Sequence, residues 1–431
     1  MIITAFINLW NKRVGAIAWD VDRRLGLFEF SPSFISGKWD VAPLKMPLEE
    51  AAGRIFSFPE LRDTPTFKGL PGLLADVLPD KYGNTLINTW LARNGRPADS
   101  LNPVELLCFI GKRGMGALEF EPVEPNVTNG ATKIELDSLI HIAQEILSGR
   151  QDFNAHLSTN EEKALIDILK IGTSAGGARA KAVIAYNPAT GEVRSGQTNV
   201  PKGFSHWLLK FDGVADQQLG TSYGYGRVEM AYSLMAREAG IQMTACQLLE
   251  ENGRAHFMTQ RFDRTPGNGK LHVQSFCAMA HYDFNNITGY SYEQLFETMR
   301  SLLLPYTDAE QLYRRMVFNV IARNCDDHTK NFAFIMDKTG QWQLAPAFDI
   351  CHAYRPGSTW VNQHALSING KRRDITRQDL LTVARKMNIK KAELIIDQVL
   401  DIVANWKIYA EETAVDDDLK DAIGKTLLVN I

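Results

Sequence analysis

The residues whose types and spacing could do chemistry lie between Arg323 and Tyr354, where the chain reads RNCDDHTKNFAFIMDKTGQWQLAPAFDICHAY. Asp326 and Asn331 stand in a D-x-x-x-x-N spacing, and a second carboxylate, Asp349, follows what reads as a β-hairpin. That is the order of parts needed to move a phosphoryl group, a reaction that asks a protein for positioning and charge neutralisation more than for covalent help. One carboxylate accepts the proton of the incoming hydroxyl, a task that suits Asp326. Another carboxylate and an amide oxygen hold Mg²⁺, a hard cation that prefers oxygen ligands, a task that suits Asp349 and Asn331. Singly, Asp326, Asp327 and Asn331 read equally well as turn and cap residues; the combination favours the functional reading. His328 has no second His or Cys beside it at zinc-ligand spacing, so a hydrogen-bonding role within the loop is expected.

Elements of a regular kind must hold these groups. Leu312, Met316, Val317, Val320 and Ile321 recur at helical spacing, so Asp326 is expected in the loop after a buried helix. Asn331 is expected to open a strand, NFAFIM, closed by the turn Asp337–Gly340 and answered by WQLAP. Asp349 then returns to the same end of the hairpin as Asn331.

Two upstream stretches add to this picture. DILKIGTSAGGARAKAVIAYN, beginning at Asp167, reads as a Gly-rich turn between two apolar strands, and such a turn lets backbone N–H groups approach phosphates. It is not a Walker A loop, because Ala178 occupies the place of that motif's Lys. HWLLKF, His206 to Phe211, sets Lys210 among large apolar residues, which invites an anionic partner; an exposed strand face is the other reading. In the helix GRVEMAYSLMAREAGI, Glu229 could pair with Lys210 or face solvent near the helix N-terminus.

The acidic loop D-D-H-T-K-N followed by A-F-D-I resembles the HipA family of bacterial serine/threonine kinases, the toxins of toxin–antitoxin pairs. GLPGLLADVLPDKYGN and GKRGMGALEF resemble the N-terminal region of the same proteins. The resemblance implies a two-lobed, protein-kinase-like α/β (α+β) fold with an N-terminal accessory domain and a helical C-terminal lobe. It makes Asp326 the catalytic base and Asn331 and Asp349 the Mg²⁺ ligands. It puts ATP against Gly176, Gly177, Ala178, Arg179, Lys181 and Lys210, against a hinge at Gln260, Arg261 and Phe262, and near His328 and Lys330. Ser174 matches the family's autophosphorylated serine, with Thr173 beside it. Where the family commonly has Gly after the catalytic Asp, this chain has Asp327, and where it often has Glu in the hinge, this chain has Gln260. The implied partners are a HipB-like helix–turn–helix antitoxin, operator DNA reached mainly through it, and a protein substrate such as an aminoacyl-tRNA synthetase, with growth arrest as the outcome. A small-molecule or lipid kinase, or a non-catalytic kinase-fold corepressor, are the rival readings.

Composition bounds the rest. A chain of 431 residues with 45% hydrophobic content suggests two or three domains or lobes with sizeable cores. The expected division is an accessory subdomain at 1–122, a linker at 123–133 around the aperiodic EPVEPNVTNGAT, a small lobe at 134–265 and a large lobe at 266–431. A net charge of −3 gives no global nucleic-acid signature. The one local basic cluster in the C-terminal helices is Arg385 and Lys386 with Lys390 and Lys391, within a stretch that fits a helix–turn–helix but fits a plain helical bundle better. Five unpatterned cysteines argue for reduced thiols in a cytosolic, cytoplasmic protein. MIITAFINLW reads as a first strand and not a signal peptide, and no apolar run is long enough to span a membrane. Gly111, Gly114 and Gly116 precede a strand and not a helix, so a tight turn is expected there.

Overall fold

The computed structural model describes residues 3–122, 136–148, 159–173, 179–196, 199–214 and 223–431, without the side chains of 136, 137, 148 and 159–163. The expected linker 123–133 lies outside the described residues. The chain forms two compact units, one from Met1–Ala42, Met46–Tyr223 and Leu249–Val273, the other from Pro43–Lys45, Gly224–Leu248 and Gln274–Ile431.

The first unit is built on two five-stranded sheets. Strands β1 (Thr4–Leu9), β2 (Lys12–Asp20), β3 (Leu25–Phe30), β4 (Ile55–Phe56) and β5 (Leu118–Glu121) assemble in the order β4-β3-β2-β1-β5, every pairing antiparallel. Alternation drives this sheet: Ala5, Ile7 and Leu9 are buried on one face of β1 while Phe6 stays exposed on the other. Trp10 and Asn11 both take positive φ between the paired residues Leu9 and Lys12, which is the tight two-residue hairpin turn that matches strand twist.

Between β3 and β5, residues 48–93 form α-helix only at Gly72–Ala75 and Lys81–Arg93, with short 3₁₀ turns at Leu48–Glu50 and Pro59–Leu61. Gly53, Pro59, Gly69 and Pro71 punctuate the rest. Pro103–Ile110 begins with a capping box, in which the Asn102 side chain accepts from Glu105 N and the Glu105 carboxylate accepts from Asn102 N, both at 2.9 Å.

The second sheet comprises β6 (Lys181–Tyr186), β7 (Val193–Ser195), β8 (Ser205–Lys210), β9 (Cys246–Glu251) and β10 (Arg254–Gln260), in the order β7-β6-β8-β10-β9. The segment before the Gly-rich stretch is not the strand expected of it. DILKIG ends a helix, Thr159–Gly172, with Ala164, Leu165, Ile168, Leu169 and Ile171 buried at helical spacing. A short apolar run is compatible with either period, and here the upstream residues complete the helical one.

In the second unit the helix Tyr306–Ile321 runs through the core, burying Leu312, Tyr313, Met316, Val317, Phe318, Val320 and Ile321. Each such large apolar side chain contributes about 1.5–3 kcal/mol on leaving water. Helices Tyr225–Glu238, Tyr292–Ser301, Arg377–Met387, Ala392–Ala404 and Trp406–Glu412 contribute to the same core. The pair at 377–404 therefore packs as part of a helical bundle, with Arg385 and Lys386 exposed. All five cysteines are free thiols. Among the described residues no helix is long and apolar enough to cross a membrane.

Candidate active site

The helix Tyr306–Ile321 stops because Arg323 enters the left-handed region at φ 58° and turns the chain away. The reversed segment is then stitched to the segment after Asp349, Cys325 N donating to Ala353 O at 3.0 Å and Ala353 N to Arg323 O at 3.1 Å. Asp326 emerges from that stitch with its side chain 47% exposed. Its carbonyl accepts from Asn331 Nδ2 at 2.7 Å, so the D-x-x-x-x-N spacing closes a loop in which the amide ties down the peptide of the carboxylate. Asn331 ends a 3₁₀ turn, Thr329–Asn331, and the strand begins two residues later, at Ala333–Met336. The expected strand start is thus displaced, because Lys330 N bonds to His328 Nδ1 and holds the turn.

The hairpin follows as expected. Gly340 N donates to Asp337 O, and Phe334, Ile335 and Met336 pair with Leu344, Gln343 and Trp342. Ala347 is pinned by its N–H to Gln242 O at 2.8 Å, and Asp349 then adopts φ 52°. Among ordinary side chains Asp is one that tolerates this region, and such positions concentrate at functional sites. Asn331 and Asp349 line one small cavity of about 10 Å³ together with Arg315, Asn319, Asn324 and Asp327. Its oxygen donors suit a hard cation, and with Nδ2 of Asn331 engaged, Oδ1 is the amide atom left for one. Among the described residues no cluster of three or more His, Cys, Asp or Glu side chains could hold a metal by itself.

Sequence reasoning did not find the groups behind this loop. Asp327 is 1% exposed, and its carboxylate accepts from Tyr292 OH at 2.8 Å, from Ala365 N at 2.8 Å and from His364 Nδ1 at 2.9 Å. Burial opposes charge on His364, but the Asp327 carboxylate and the Cys325 thiol outweigh it and raise the imidazole to about 10. Tyr292 OH also accepts from Asn319 Nδ2, and Asn324 Nδ2 bonds to Asn319 Oδ1 at 3.0 Å and to the Asp349 carbonyl at 3.5 Å. Arg315 is buried, donates to Ala345 O, and is lowered to about 10 by burial. The available signal was Arg315 and Asn319 on the buried face of an apolar helix. Tyr292 and His364 are 35 and 37 residues from Asp327, and no local pattern joins them.

His328 stacks obliquely on Phe284, with its Nε2 3.9 Å from the Asp326 carboxylate, and Lys330 lies over the same Phe284 ring. The loop role read for His328 is the one it has. Glu229, also in this unit, is buried within its helix; the solvent-facing reading does not hold, because Val228, Glu229, Ala231 and Tyr232 all lie on the covered side.

The remaining expected nucleotide residues lie in the first unit. Lys181 and Lys210 face each other directly across β6 and β8, Lys181 at 3% exposure and Lys210 with its Nζ 5.8 Å from the Phe257 ring centre. Like charges directly opposite each other in a sheet repel. Arg179 is half-buried just before β6. Ser174, Gly176, Gly177 and Ala178 lie outside the described residues. Thr173 is described, is 1% exposed, and donates its hydroxyl to Leu169 O at 2.9 Å.

Gln260 ends β10 opposite Trp207, Arg261 N donates to His206 O, and Phe262 is half-buried. The Arg261 guanidinium is committed elsewhere: it and Arg264 both grip the buried Asp263, at 2.7 and 2.6 Å. Asp263 in turn accepts from Gly116 N at 2.6 Å, and both arginines donate to Gly114 O. The turn through Gly111, Gly114 and Gly116 is therefore a clamped structural turn. A Cβ on Gly116, at φ 77°, would lie 3.0 Å from Val273 N.

Comparison with known proteins agrees with this architecture. The HipA-like C-terminal domain matches residues 173–406 and the HipA N-terminal domain matches residues 5–121. The chain belongs to the HipA family. A solved structure of HipA, HipB and its operator DNA, from a toxin–antitoxin system of Shewanella oneidensis MR-1, superposes with a TM-score of 0.67 over 98% of this chain and 96% of that one. At 15% identity this likeness shows the HipA fold, a mixed α/β architecture. Two Sinorhizobium fredii (strain NBRC 101917 / NGR234) proteins, each named as an inferred kinase, are also similar. Y4mE is 26% identical over 27% of this chain and 30% of its own length, and Y4dM 23% identical over 47% and 50%. The chain thus spans half or less of either curated relative.

Proposed function

We propose that this HipA-family chain is a kinase that transfers the γ-phosphoryl group of ATP to a serine or threonine hydroxyl of a protein, with Mg²⁺ as cofactor. The observation that carries the reading is the joining of Asn331 to the Asp326 peptide beside a cavity that Asn331 and Asp349 both line. In this reading the Asp326 carboxylate takes the proton of the acceptor hydroxyl as its oxygen bonds to the γ-phosphorus and the bond to ADP breaks. Asn331 Oδ1 and the Asp349 carboxylate would hold Mg²⁺, which neutralises charge on the phosphates. The family resemblance assigns the nucleotide's other contacts to Arg179, Lys181 and Lys210, to Gly176 and Gly177, and to the main chain at Gln260–Phe262. His328 and Lys330 complete the set around the loop.

Self-inhibition by phosphorylation of Ser174 belongs to the same proposal. A phosphate there adds close to two negative charges where the nucleotide's own phosphates sit, which expels the loop. Burial of Thr173, with its hydroxyl already spent on Leu169 O, supports Ser174 over Thr173 as the modified residue. The expected partners are a HipB-like antitoxin and, through it, operator DNA, with exposed Arg385 and Lys386 as candidates for direct phosphate contact. A translation component such as an aminoacyl-tRNA synthetase is the expected target, and the four-part division 1–122, 123–133, 134–265 and 266–431 is the proposed functional layout.

Intact mass with phosphosite mapping tests this, on the wild type and Asp326→Gln after incubation with Mg-ATP. The expected result is one phosphate on Ser174 in the wild type and none in the variant. A wild type that neither carries phosphate nor transfers it to any protein would overturn the reading and favour a binding role for the kinase fold.

A further inference from the structure

Two adjacent carboxylates in the acidic loop have opposite surroundings. Asp326 is half-exposed toward solvent, whereas Asp327 is 1% exposed, with both oxygens engaged by three donors from Tyr292, His364 and Ala365. Those oxygens are already spent, so Asp327 is poorly placed to ligate a cation or take a proton from substrate.

Its anchors lead to the rest of the site. Tyr292 OH joins Asp327 to Asn319 on the core helix, Asn319 joins Asn324, and Asn324 reaches the carbonyl of Asp349. On the other side, the peptide carbonyl of Asp326 is held by Asn331. Asp326 is thus fixed fore and aft: its own carbonyl by Asn331, and the next side chain by a buried network that also touches the backbone of Asp349. His364 is a cationic partner of Asp327 in this network, with Cys325 Sγ at 3.8 Å from its other ring nitrogen.

Resting on the kinase reading above, we infer that Asp327, with His364 as its buried counter-ion and Tyr292 as its link to the core helix, is a positioning residue. It sets the place of the Asp326 carboxylate relative to Asn331 and Asp349. A displacement of about 1 Å at a reacting group can cost about 10²-fold in rate, so small changes here should be felt in turnover and not in nucleotide binding.

The test compares kcat and KM for ATP in the full-length wild type, Asp326→Asn, Asp327→Asn and Tyr292→Phe, each corrected for folded fraction by near-ultraviolet circular dichroism. Asp327→Asn should lower kcat about 10²-fold with KM for ATP unchanged within about twofold, because uniform binding is left intact. Tyr292→Phe, which deletes one hydroxyl, should lower kcat several-fold with the same unchanged KM, and it decides the question if Asp327→Asn does not fold. A role confined to stability would leave kcat per folded molecule at the wild-type value in both, and that result overturns the inference while the kinase reading stands. If the wild type itself shows no turnover, the kinase reading falls and the positioning role falls with it; activity in the wild type with none in Asp326→Asn separates the two failures.

Discussion

Asp263 in the first unit and Asp327 in the second are both buried carboxylates at the root of a loop, but they are neutralised differently. Asp263 sits between two guanidiniums and takes a glycine N–H, so it clamps a turn through Gly114 and Gly116. Burial opposes its charge, and the adjacent Arg261 and Arg264 outweigh that, holding it well below the usual carboxylate range. Asp327 has one imidazole, one phenol and one backbone N–H, and it clamps the loop that carries Asp326. Two guanidiniums neutralise the first carboxylate, whereas a single imidazole, whose ordinary value is several units lower than that of guanidinium, faces the second. The structural turn is therefore locked by a carboxylate between two guanidiniums, and the candidate catalytic loop by a carboxylate held by an imidazole, a phenol and a backbone N–H.

The largest effect that would break this comparison is in the first clamp. Asp263→Ala leaves Arg261 and Arg264 buried without their carboxylate, and should cost about 3–5 kcal/mol in urea unfolding. A loss below about 1 kcal/mol would mean that the clamp contributes little and that the two loops are held by other means.

A smaller effect separates the clamps by pH. His364 is raised from its unfolded value of 6.5 to about 10, so its contribution is complete below pH 6.5 and is lost as pH rises toward 10. Asp263 is depressed, so its contribution is present above the unfolded carboxylate value of 3.8 and is lost only as pH falls below it. Urea midpoints measured from pH 6 to 10 should decline in the wild type, and the part of the decline due to His364 should vanish in His364→Gln. An identical slope in both proteins would remove the imidazole from the account.

Thr173 sets the low end, since its buried hydroxyl makes a single neutral bond to Leu169 O. Thr173→Val should cost about 1 kcal/mol in the same unfolding assay, and should leave any phosphate on Ser174 in place. Loss of the phosphate with stability intact would transfer the modification to Thr173.

How far each part is legible follows from the range of the interactions involved. The hairpin behind Asn331, the capped helix Pro103–Ile110 and the strands β1 to β3 rest on contacts within a few residues, and periodicity and turn chemistry reveal them. DILKIG reads as a strand and folds as a helix because a short apolar run fits both periods, and only the residues before it and the core it meets decide. Arg261 matches the nucleotide hinge by its place in the chain, while its side chain is drawn to Asp263, two residues away, by a desolvated charge that needs a partner.

By itself the sequence determined the chemistry on offer: a carboxylate, an amide and a second carboxylate in order, a lysine on an apolar strand, and cysteines without a C-x-x-C pair. It could do so because side-chain types and short spacings are local properties. Tertiary structure alone decided which of two neighbouring aspartates faces solvent, since that depends on Tyr292 and His364 arriving from distant segments. It also decided that Lys181 lies opposite Lys210, a matter of strand register that only the assembled sheet specifies.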